Sequence, residues 1–313
     1  MASIAYITDK DMMEYHRLNG NKAINFWRPG SKRNISNLQR DDFVFFLAKT
    51  NNKKKERGIV GYGIFKEQKI MGFQKMWNQY TTQNGYETKE QLRKAVERMS
   101  KNKEVPKEMN CLWIEEIIFF QAPIYLSEFG AEISDRVESY VYVDKDNSEL
   151  TNRILKRGQE IGVDAWLATT ADDHSDEVID KNRISYLLAE IYERVSIEVF
   201  TETEEKKLAK QIEQLLSQNE YTEYDVIRGS QYVISRIQNQ HIEIQFAFLS
   251  PMRKAKEKLI MLCGEISLFI ELLNEKIKDW DIHAGILFFS NVPPELEKLM
   301  EDAHIRYHYP TLV

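Results

Sequence analysis

The stretch Phe43–Phe65 decides the fold of the first part of the chain. In it, FVFFLA (Phe43–Ala48) and IVGYGIF (Ile59–Phe65) flank the polar run NNKKKER (Asn51–Arg57). Short runs rich in aromatic and β-branched residues are typical of strands, and a polar run between two of them indicates a hairpin. The stretch therefore predicts two antiparallel strands joined by a basic turn.

The segments around this hairpin predict the rest of a sheet with flanking helices. Two strand-like runs within Cys111–Val143 are too few to form a core of their own, so we expect them to complete the same sheet. Helical spacing places Leu92, Val96 and Met99 on one face of a helix. The predicted strands are Ile4–Ile7, Leu112–Phe120 and Glu138–Val143, and the predicted helices are Phe73–Tyr80 and Lys89–Met99.

Charge is distributed unevenly along the 313 residues. The whole chain carries a net charge of −6, which argues against a protein that is basic throughout. Residues 1–110 contain 22 Lys and Arg against 12 Asp and Glu, a net charge of +10, whereas residues 111–313 carry −16. This asymmetry predicts that the first part of the chain meets a polyanion.

Cysteine use and hydropathy predict a soluble cytoplasmic protein with no membrane partner. Cys111 and Cys263 both lie in apolar runs, so we expect two buried free thiols in a reducing compartment. No apolar run approaches the roughly 18 residues that a membrane span requires. The first residues, MASIAYITDKDMMEYH, lack the apolar core of a signal peptide.

The pattern of elements predicts an α+β protein with three parts: a domain at 1–150, a helical connector at 151–200 and an α/β domain at 201–313. The last part alternates helix and strand in an order typical of a three-layer domain. Its predicted elements are a helix at 204–216, strands at Tyr224–Arg228, Tyr232–Ile237 and Ile242–Phe248, a helix at Arg253–Lys276, a strand at His283–Phe289, a short helix opened by Pro293 and a strand at Ile305–Tyr309.

The first domain combines aromatic residues, an arginine and strand glycines. NFWRP (Asn25–Pro29) supplies Phe26, Trp27 and Arg28. Gly61 and Gly63 leave one strand face without side chains, so a flat ligand can approach the backbone. Aromatic faces beside such a gap can stack a base that has left its duplex. Alternatively, the aromatic residues belong to the core and the glycines mark a bulge.

The order of these motifs resembles a known domain. The order is FWRP, then DDFVFF (Asp41–Phe46), then IVGYGIF, then Trp77 separated by six residues from Asn84-Gly85, then LWIEEIIFFQAP (Leu112–Pro123). This order resembles the N-terminal domain that is fused to HNH nucleases in bacterial and phage restriction proteins. That domain belongs to the PUA-like group, with the EVE, YTH and SRA-type readers of modified bases. The resemblance covers residues 20–145.

The resemblance implies a small, strongly curved β-barrel with flanking helices that accommodates a flipped or modified base. In one place the chain departs from the family: Asp41-Asp42 stands where the family has a glycine before its acidic residue, so we expect a different loop. The base-binding residues implied are Phe26, Trp27, Arg28, Gly61, Tyr62, Gly63, Trp77 and Asn84.

Two basic runs in the same domain are candidates for phosphate binding. Each phosphate that such residues neutralise releases counterions and makes binding dependent on salt. The alternative is that both runs are solvated loops. The candidate residues are Lys32, Arg33, Arg40, Lys53, Lys54, Lys55 and Arg57.

The last domain shows a weak resemblance to PD-(D/E)XK nucleases. Asp225 precedes Glu243-Ile244-Gln245 with the spacing D-x(17)-E-x-Q, and strand alternation places Glu243 and Gln245 on one face. The resemblance implies that Asp225 and Glu243 hold Mg²⁺ and that Gln245 orients the attacking water. Gln245 departs from the usual lysine, and among 49 acidic residues such a spacing also arises by chance.

The histidines and cysteines predict no other metal centre. The six histidines are scattered and form no HNH pattern, and neither cysteine has a ligand at zinc-finger spacing. We interpret His241, His304 and His308 as surface or aromatic-cluster residues.

Two functions are consistent with these patterns. The first is a restriction endonuclease, dependent on modification or on sequence, that flips a base of double-stranded DNA into the first domain and cuts with Mg²⁺ as a homodimer, in defence against phage. The second is a non-catalytic reader of modified nucleic acid that dimerises or recruits a defence partner. Gln245 and the acidity of residues 111–313 favour the second. A reader of modified RNA is a third possibility.

Overall fold

The computed structural model describes residues 3–30, 35–50, 56–134, 137, 139–145, 147, 149–164, 175–249 and 254–310. The chain divides into two compact units, Met1–Asp180 and Lys181–Val313. Both contain helices and a sheet, as the α+β prediction requires. Among the described residues, no helix combines the length and the apolarity that crossing a bilayer demands.

The first unit is built on a six-stranded sheet with the order β2-β5-β4-β3-β1-β6. All its pairs are antiparallel except β1 with β3. The strands are β1 (Ser3–Ile7), β2 (Ala23–Pro29), β3 (Phe43–Lys49), β4 (Arg57–Met71), β5 (Met109–Ile124) and β6 (Tyr140–Tyr142).

The predicted hairpin is confirmed, because β3 and β4 pair antiparallel with Phe43 opposite Ile64. Its turn, residues 51–55, lies outside the described residues. β4 extends beyond the predicted strand to Met71, which lies opposite Met109 of β5. The later strands therefore complete this sheet, as expected.

The expected closed barrel is not observed in the described part of the chain. Closure requires hydrogen bonds between the two edge strands. Here β2 pairs with β5 and β6 pairs with β1, so the described sheet is open. Register shifts between β4 and β5 at Ile59/Gly61, Tyr62/Ile64 and Phe65/Glu67 bend these long strands instead.

Helices cover the sheet of the first unit, and two of them, α2 (Phe73–Tyr80) and α3 (Lys89–Met99), have the predicted bounds, whereas the helix at Lys10–Leu18 was not predicted. Helix α3 begins with a capping box between Thr88 and Gln91 and buries Leu92 and Val96. Met99 is 55% exposed rather than buried, because the helix ends at this residue. The helices of this unit are α1 (Lys10–Leu18), α2 (Phe73–Tyr80), α3 (Lys89–Met99) and α4 (Leu150–Ile161).

The second unit contains a five-stranded sheet with the order β11-β10-β9-β8-β7. β7, β8 and β9 form an antiparallel meander, and β9, β10 and β11 are parallel. This alternation of helix and strand is the predicted one. The elements are α5 (Ser175–Val195), which contains the division between the units, α6 (Glu202–Leu216), β7 (Asp225–Val226), β8 (Val233–Gln238), β9 (His241–Phe248), α7 (Ala255–Lys276), β10 (Asp281–Phe288), α8 (Pro294–Asp302) and β11 (Arg306–His308).

Both cysteines are free, as predicted, but they differ in burial. Cys111 is fully buried in the first unit, whereas Cys263 on α7 is half-buried. Burial raises the pKa of each thiol to about 11, so neither is a thiolate at neutral pH.

Helix α7 brings an acidic residue into the core of the second unit. Glu265 is 3% exposed and lies between Leu262 and Phe269, which are fully buried on the same helix. Burial raises the pKa of Glu265 to about 7, because a carboxylate loses its hydration there. The folded state therefore binds this proton more tightly than the unfolded chain does.

This shift predicts a pH-dependent stability. The stabilisation from protonated Glu265 is complete below the unfolded pKa near 4.5 and is lost as the pH rises through about 7. Glu265→Gln should match the wild type at pH 5 and exceed its free energy of unfolding at pH 8, by about 1.4 kcal/mol for each unit of pKa difference removed. Urea unfolding at the two pH values measures this. Glu271→Gln, exposed on the same helix, is the control and should show no such gain.

Candidate functional site

A cavity of about 670 Å³ opens in the first unit. It lies between the ends of β1 and β2, the beginning of α1 and the segment 99–107 that follows α3. Three of the residues predicted to bind a base, Phe26, Trp27 and Arg28, line it. The lining also includes Tyr6, Asp9, Tyr86, Lys101, Glu104 and Lys107.

The floor of the cavity is aromatic. Phe26 stacks on Tyr6 with ring centroids 5.3 Å apart and planes inclined by 9°, and its edge meets Phe46. Trp27 contacts Tyr86 at a centroid distance of 6.3 Å. Phe26 and Trp27 are only 2% and 7% exposed, so they are core residues that also present part of their surface to the cavity.

Asn84 fixes the position of Trp27. The indole Nε1 of Trp27 donates to the main-chain oxygen of Asn84 at 3.0 Å. The Asn84 side chain accepts from Asn25 at 2.8 Å and donates to the carbonyl oxygen of Thr81 at 2.8 Å. Asn84 is fully buried and is absent from the cavity lining, so its role here is to position Trp27.

Gly85, the residue after Asn84, is required by both its backbone conformation and its packing. Gly85 has φ +85°, and a Cβ there would lie 2.4 Å from Cγ of Met12. Only glycine fits both requirements without strain. Trp77 lies half-buried on α2 and does not line the cavity. Asn84 and Gly85 therefore support the lining residues Trp27 and Met12, whereas Trp77 packs against the hydrophobic core.

The expectation that Gly61 and Gly63 leave an open strand face is wrong. A Cβ at Gly61 would lie 2.2 Å from the carbonyl oxygen of Ile118 on β5. A Cβ at Gly63 would lie 2.5 Å from Cγ2 of Ile114. The two glycines allow β5 to approach β4 at the register shifts, which confirms the alternative of a bulge.

Tyr62, between these glycines, is also a core residue rather than a cavity residue. Its ring is fully buried and contacts the rings of Phe43, Phe45 and Phe120.

Arg28 is the cation most directly placed for a ligand. Its half-buried side chain makes no hydrogen bond or ion pair with any residue that the structure describes, and it lies near the phenols of Tyr6 and Tyr140. Burial raises the pKa of Tyr6 to about 12, so this phenol is neutral at pH 7 and cannot neutralise Arg28. An anionic or polar ligand group would complete this arrangement.

The other charges around the cavity leave it positive. Lys101 and Lys107 line it together with Arg28, against Asp9 and Glu104. The carboxylate of Asp9 is occupied, because it caps α1 by accepting from two main-chain N–H groups at 2.9 and 3.2 Å. The helix terminus thus offsets one of the two negative charges.

The predicted phosphate-binding residues are only partly described. Arg40 extends into solvent, with its side chain 77% exposed and its Nε 4.0 Å from Asp41. Arg57 donates to the carbonyl oxygen of Val137 at 3.0 Å, which ties the start of β4 to the segment before β6. Lys32, Arg33, Lys53, Lys54 and Lys55 lie outside the described residues.

The loop at Asp41-Asp42 has a backbone conformation that glycine commonly adopts. Asp41 has φ +70°, a left-handed conformation that aspartate tolerates better than most residues. Its carboxylate accepts from Lys66 at 2.8 Å, and buried Asp42 accepts from the main-chain N–H of Gln39 at 2.6 Å. The departure in sequence is therefore compensated by local hydrogen bonds.

In the second unit, the register separates the two predicted metal ligands. Asp225 lies opposite Ser235, which lies opposite Ile244, whereas Glu243 lies opposite Arg236. Because neighbouring residues of a strand face opposite sides, Asp225 and Glu243 are on opposite faces of the sheet. The prediction that they share one Mg²⁺ is therefore corrected. Asp225 is exposed and pairs instead with Lys181 at 3.1 Å.

Glu243 and Gln245 share a face, as predicted, but Glu243 is already engaged. Its Oε2 accepts from Arg236 at 2.7 Å and its Oε1 accepts from Gln245 at 2.9 Å. Burial acts to raise the pKa of Glu243, but hydrogen bonds from Tyr224 and Gln245 and the charge of Arg236 lower it below the ordinary value. The arrangement holds an ionised glutamate against an arginine.

The corrected role of Gly61 gives a direct prediction. Gly61→Ala should lower the free energy of unfolding by about 1–3 kcal/mol, because the added methyl meets the main chain of β5. Denaturant unfolding measures this change. Gly264→Ala is the control, since nothing lies within 4 Å of that position on α7, and it should gain up to about 1 kcal/mol. An unchanged stability of Gly61→Ala would restore the open-face interpretation.

No family model matches the chain, and no curated protein matches it. Among solved structures, the ASCH protein of Zymomonas mobilis aligns with 49% of this chain and 94% of its own length, at 13% identity and a TM-score of 0.35. Two single-substitution mutants of that protein align at 15% and 13% identity over 49% and 50% of this chain, covering 96% and 95% of their own lengths, also with a TM-score of 0.35. These values establish neither a family nor a function for the chain.

Proposed function

We propose that the protein is a reader of nucleic acid that takes one unpaired base into the cavity beside Trp27 and Arg28. The observation that carries this proposal is the pairing of an aromatic floor with an arginine that has no partner among the described residues. A flat, polar ligand is what such a combination binds best, because its face stacks and its edge accepts hydrogen bonds from the guanidinium.

The size and surroundings of the cavity support a base rather than a larger ligand. About 670 Å³ is within the range of small-molecule sites and leaves room for a base with its sugar and an added substituent. Lys101 and Lys107 at its rim suit the phosphates on either side of an extruded nucleotide. The PUA-like resemblance of residues 20–145 further supports a modified base in double-stranded DNA.

The second unit supports a role without catalysis. Its best candidate carboxylate, Glu243, is held by Arg236 and Gln245, and Asp225 lies on the other face of the sheet. A divalent ion at Glu243 would have to displace the guanidinium. We infer that this unit assists the reader as a dimerisation or recruitment module.

The proposal predicts a specific loss of binding when Arg28 is replaced. Arg28→Gln should weaken binding of DNA at least tenfold, because the base or its phosphate loses a charge-assisted hydrogen bond. Fluorescence anisotropy with unmodified, methylated and hydroxymethylated duplexes measures affinity across a salt series. Loss of a phosphate contact would also lower the slope of log K against log[salt] by about one, whereas loss of a base contact would leave the slope unchanged.

The control for Arg28→Gln is Lys75→Gln, an exposed cation on α2 outside the cavity lining. It should keep at least half of the wild-type affinity. Mismatched duplexes should bind more tightly than paired ones, because their base costs less to extrude. The proposal of a DNA reader fails if Arg28→Gln binds every duplex with the affinity of the wild type. It also fails if the wild type binds RNA but none of the DNA duplexes.

Cleavage of DNA is the second candidate function, favoured by the antiparallel meander joined to parallel strands in the second unit. If the proposal of a reader is correct, supercoiled and modified DNA should remain uncut with Mg²⁺. Gel electrophoresis after prolonged incubation tests this. Cleavage by the wild type that Glu243→Ala abolishes would establish the nuclease instead. Asp225→Ala, on the opposite face, reports whether that residue takes part.

Homodimerisation is a further part of the proposal. Helix α7 exposes Ile260, Met261 and Leu268 by 51%, 41% and 46%, and an apolar patch of this kind supports association. Leu268→Lys should shift a dimer to monomer in light scattering. Leu18→Lys, equally exposed in the first unit, should not.

A further inference from the structure

Three metal-ligating side chains converge at one end of the second unit's sheet. Oδ2 of Asp281 lies 3.0 Å from Nδ1 of His241 and 3.1 Å from Nε2 of His283. One such atom from each residue lies within 4.8 Å of the other two. Ligands at about 2.0–2.1 Å from a tetrahedral ion are themselves about 3.3 Å apart, so the three atoms already approach that spacing.

Backbone geometry places these residues together. Asn239 and Gln240 form a two-residue turn between β8 and β9, with φ +49° and +59°, and Gln238 lies opposite His241. This tight turn makes His241 the first residue of β9. β10 begins at Asp281, whose main-chain N–H donates to the carbonyl oxygen of Gln240 at 2.9 Å.

The parallel register then brings the side chains to one face. Asp281 lies beside His241, and His283 follows two residues later on the same side of β10. The ring centroids of the two imidazoles are 5.0 Å apart. The three residues therefore form a preformed group, although 40 residues separate His241 from Asp281 in the sequence.

We propose that His241, Asp281 and His283 bind one first-row divalent transition-metal ion. Two imidazoles and one carboxylate are ligands that zinc and its neighbours prefer. Mg²⁺ and Ca²⁺ prefer oxygen ligands and are disfavoured by the two nitrogens. The site is independent of the reader function and of the Mg²⁺ pair predicted from the sequence.

The site has three protein ligands and an open side. His241 and His283 are about one-third exposed and Asp281 is two-thirds exposed, so water or an external ligand can reach the ion. Glu243 lies beside His283 in the register, but Arg236 and Gln245 occupy its carboxylate oxygens. Structural zinc sites usually have four protein ligands, whereas a site with three protein ligands keeps its fourth position open to water or another ligand.

The test uses the untagged full-length chain after treatment with a chelator. Titration with Zn²⁺, by equilibrium dialysis and calorimetry, should give one ion per chain, and Co²⁺ should give the visible absorption of a nitrogen- and oxygen-ligated ion. His241→Ala and His283→Ala should each weaken Zn²⁺ binding at least about 100-fold. Even loss of a residue that only hydrogen-bonds to a metal ligand typically lowers metal affinity about 10–100-fold. Asp281→Asn should weaken it at least about tenfold.

Matched controls separate this site from adventitious binding. His304→Ala removes an exposed histidine of the same unit, and Asp279→Asn removes an exposed aspartate two residues before the site. Both should bind Zn²⁺ as the wild type does. Each site variant should also lose the Zn²⁺-induced rise in Tm that the wild type and controls show. Absence of stoichiometric binding by the wild type, or equal loss in the controls, would overturn the proposal and leave a carboxylate bridging two imidazoles.

Discussion

The pairing of β4 with β5 is the interaction on which the first unit depends. These two strands, of 15 and 16 residues, occupy the middle of the sheet and carry its other strands at their outer edges. Their pairing runs through three register shifts, and at Gly61 the strands approach so closely that no Cβ fits. β5 in turn fixes β2 by placing Trp27 opposite Cys111. The cavity floor is thus a consequence of how two long strands accommodate bulges.

The same dependence explains how much of the fold and the site could be predicted. Local patterns gave the hairpin, helix α3 and the alternation of helix and strand in the second unit, because periodicity and caps act over a few residues. Phe26, Trp27 and Arg28 of the FWRP motif line a cavity, and whether that cavity binds a base stays a prediction. The prediction of an open strand face was wrong because it depended on long-range strand register. In β4 alone, Gly61 and Gly63 leave a surface without side chains, but β5 packs against that surface.

Register also explains the errors in the second unit. Asp225 and Glu243 have the sequence spacing of a metal-binding pair. However, they pair with neighbouring residues of β8, Ser235 and Arg236, and therefore lie on opposite faces of the sheet. The reverse holds for His241 and Asp281, which no motif joins and which parallel pairing sets side by side. A register shift of one residue moves every side chain of a strand to the other face. Such a shift would bring Asp225 and Glu243 to one face, and in the other pairing it would separate His241 from Asp281. Sequence spacing alone contains no information on that choice.

Charge placement links the two units to the proposed function. Residues 111–313 carry a net charge of −16, yet several of their partly buried carboxylates form ion pairs with cations. Examples are the pairs Glu204 with Lys258, Glu190 with Lys276 and Glu243 with Arg236. Such pairs offset the cost of desolvation, so they compete with a metal ion for the same oxygens. By unit, the net charge is −1 for Met1–Asp180, with 27 Lys and Arg against 28 Asp and Glu, and −5 for Lys181–Val313, with 16 against 21. The cationic surplus of the first unit is confined to residues 1–110, which include Arg28, so we expect that segment to hold the nucleic acid.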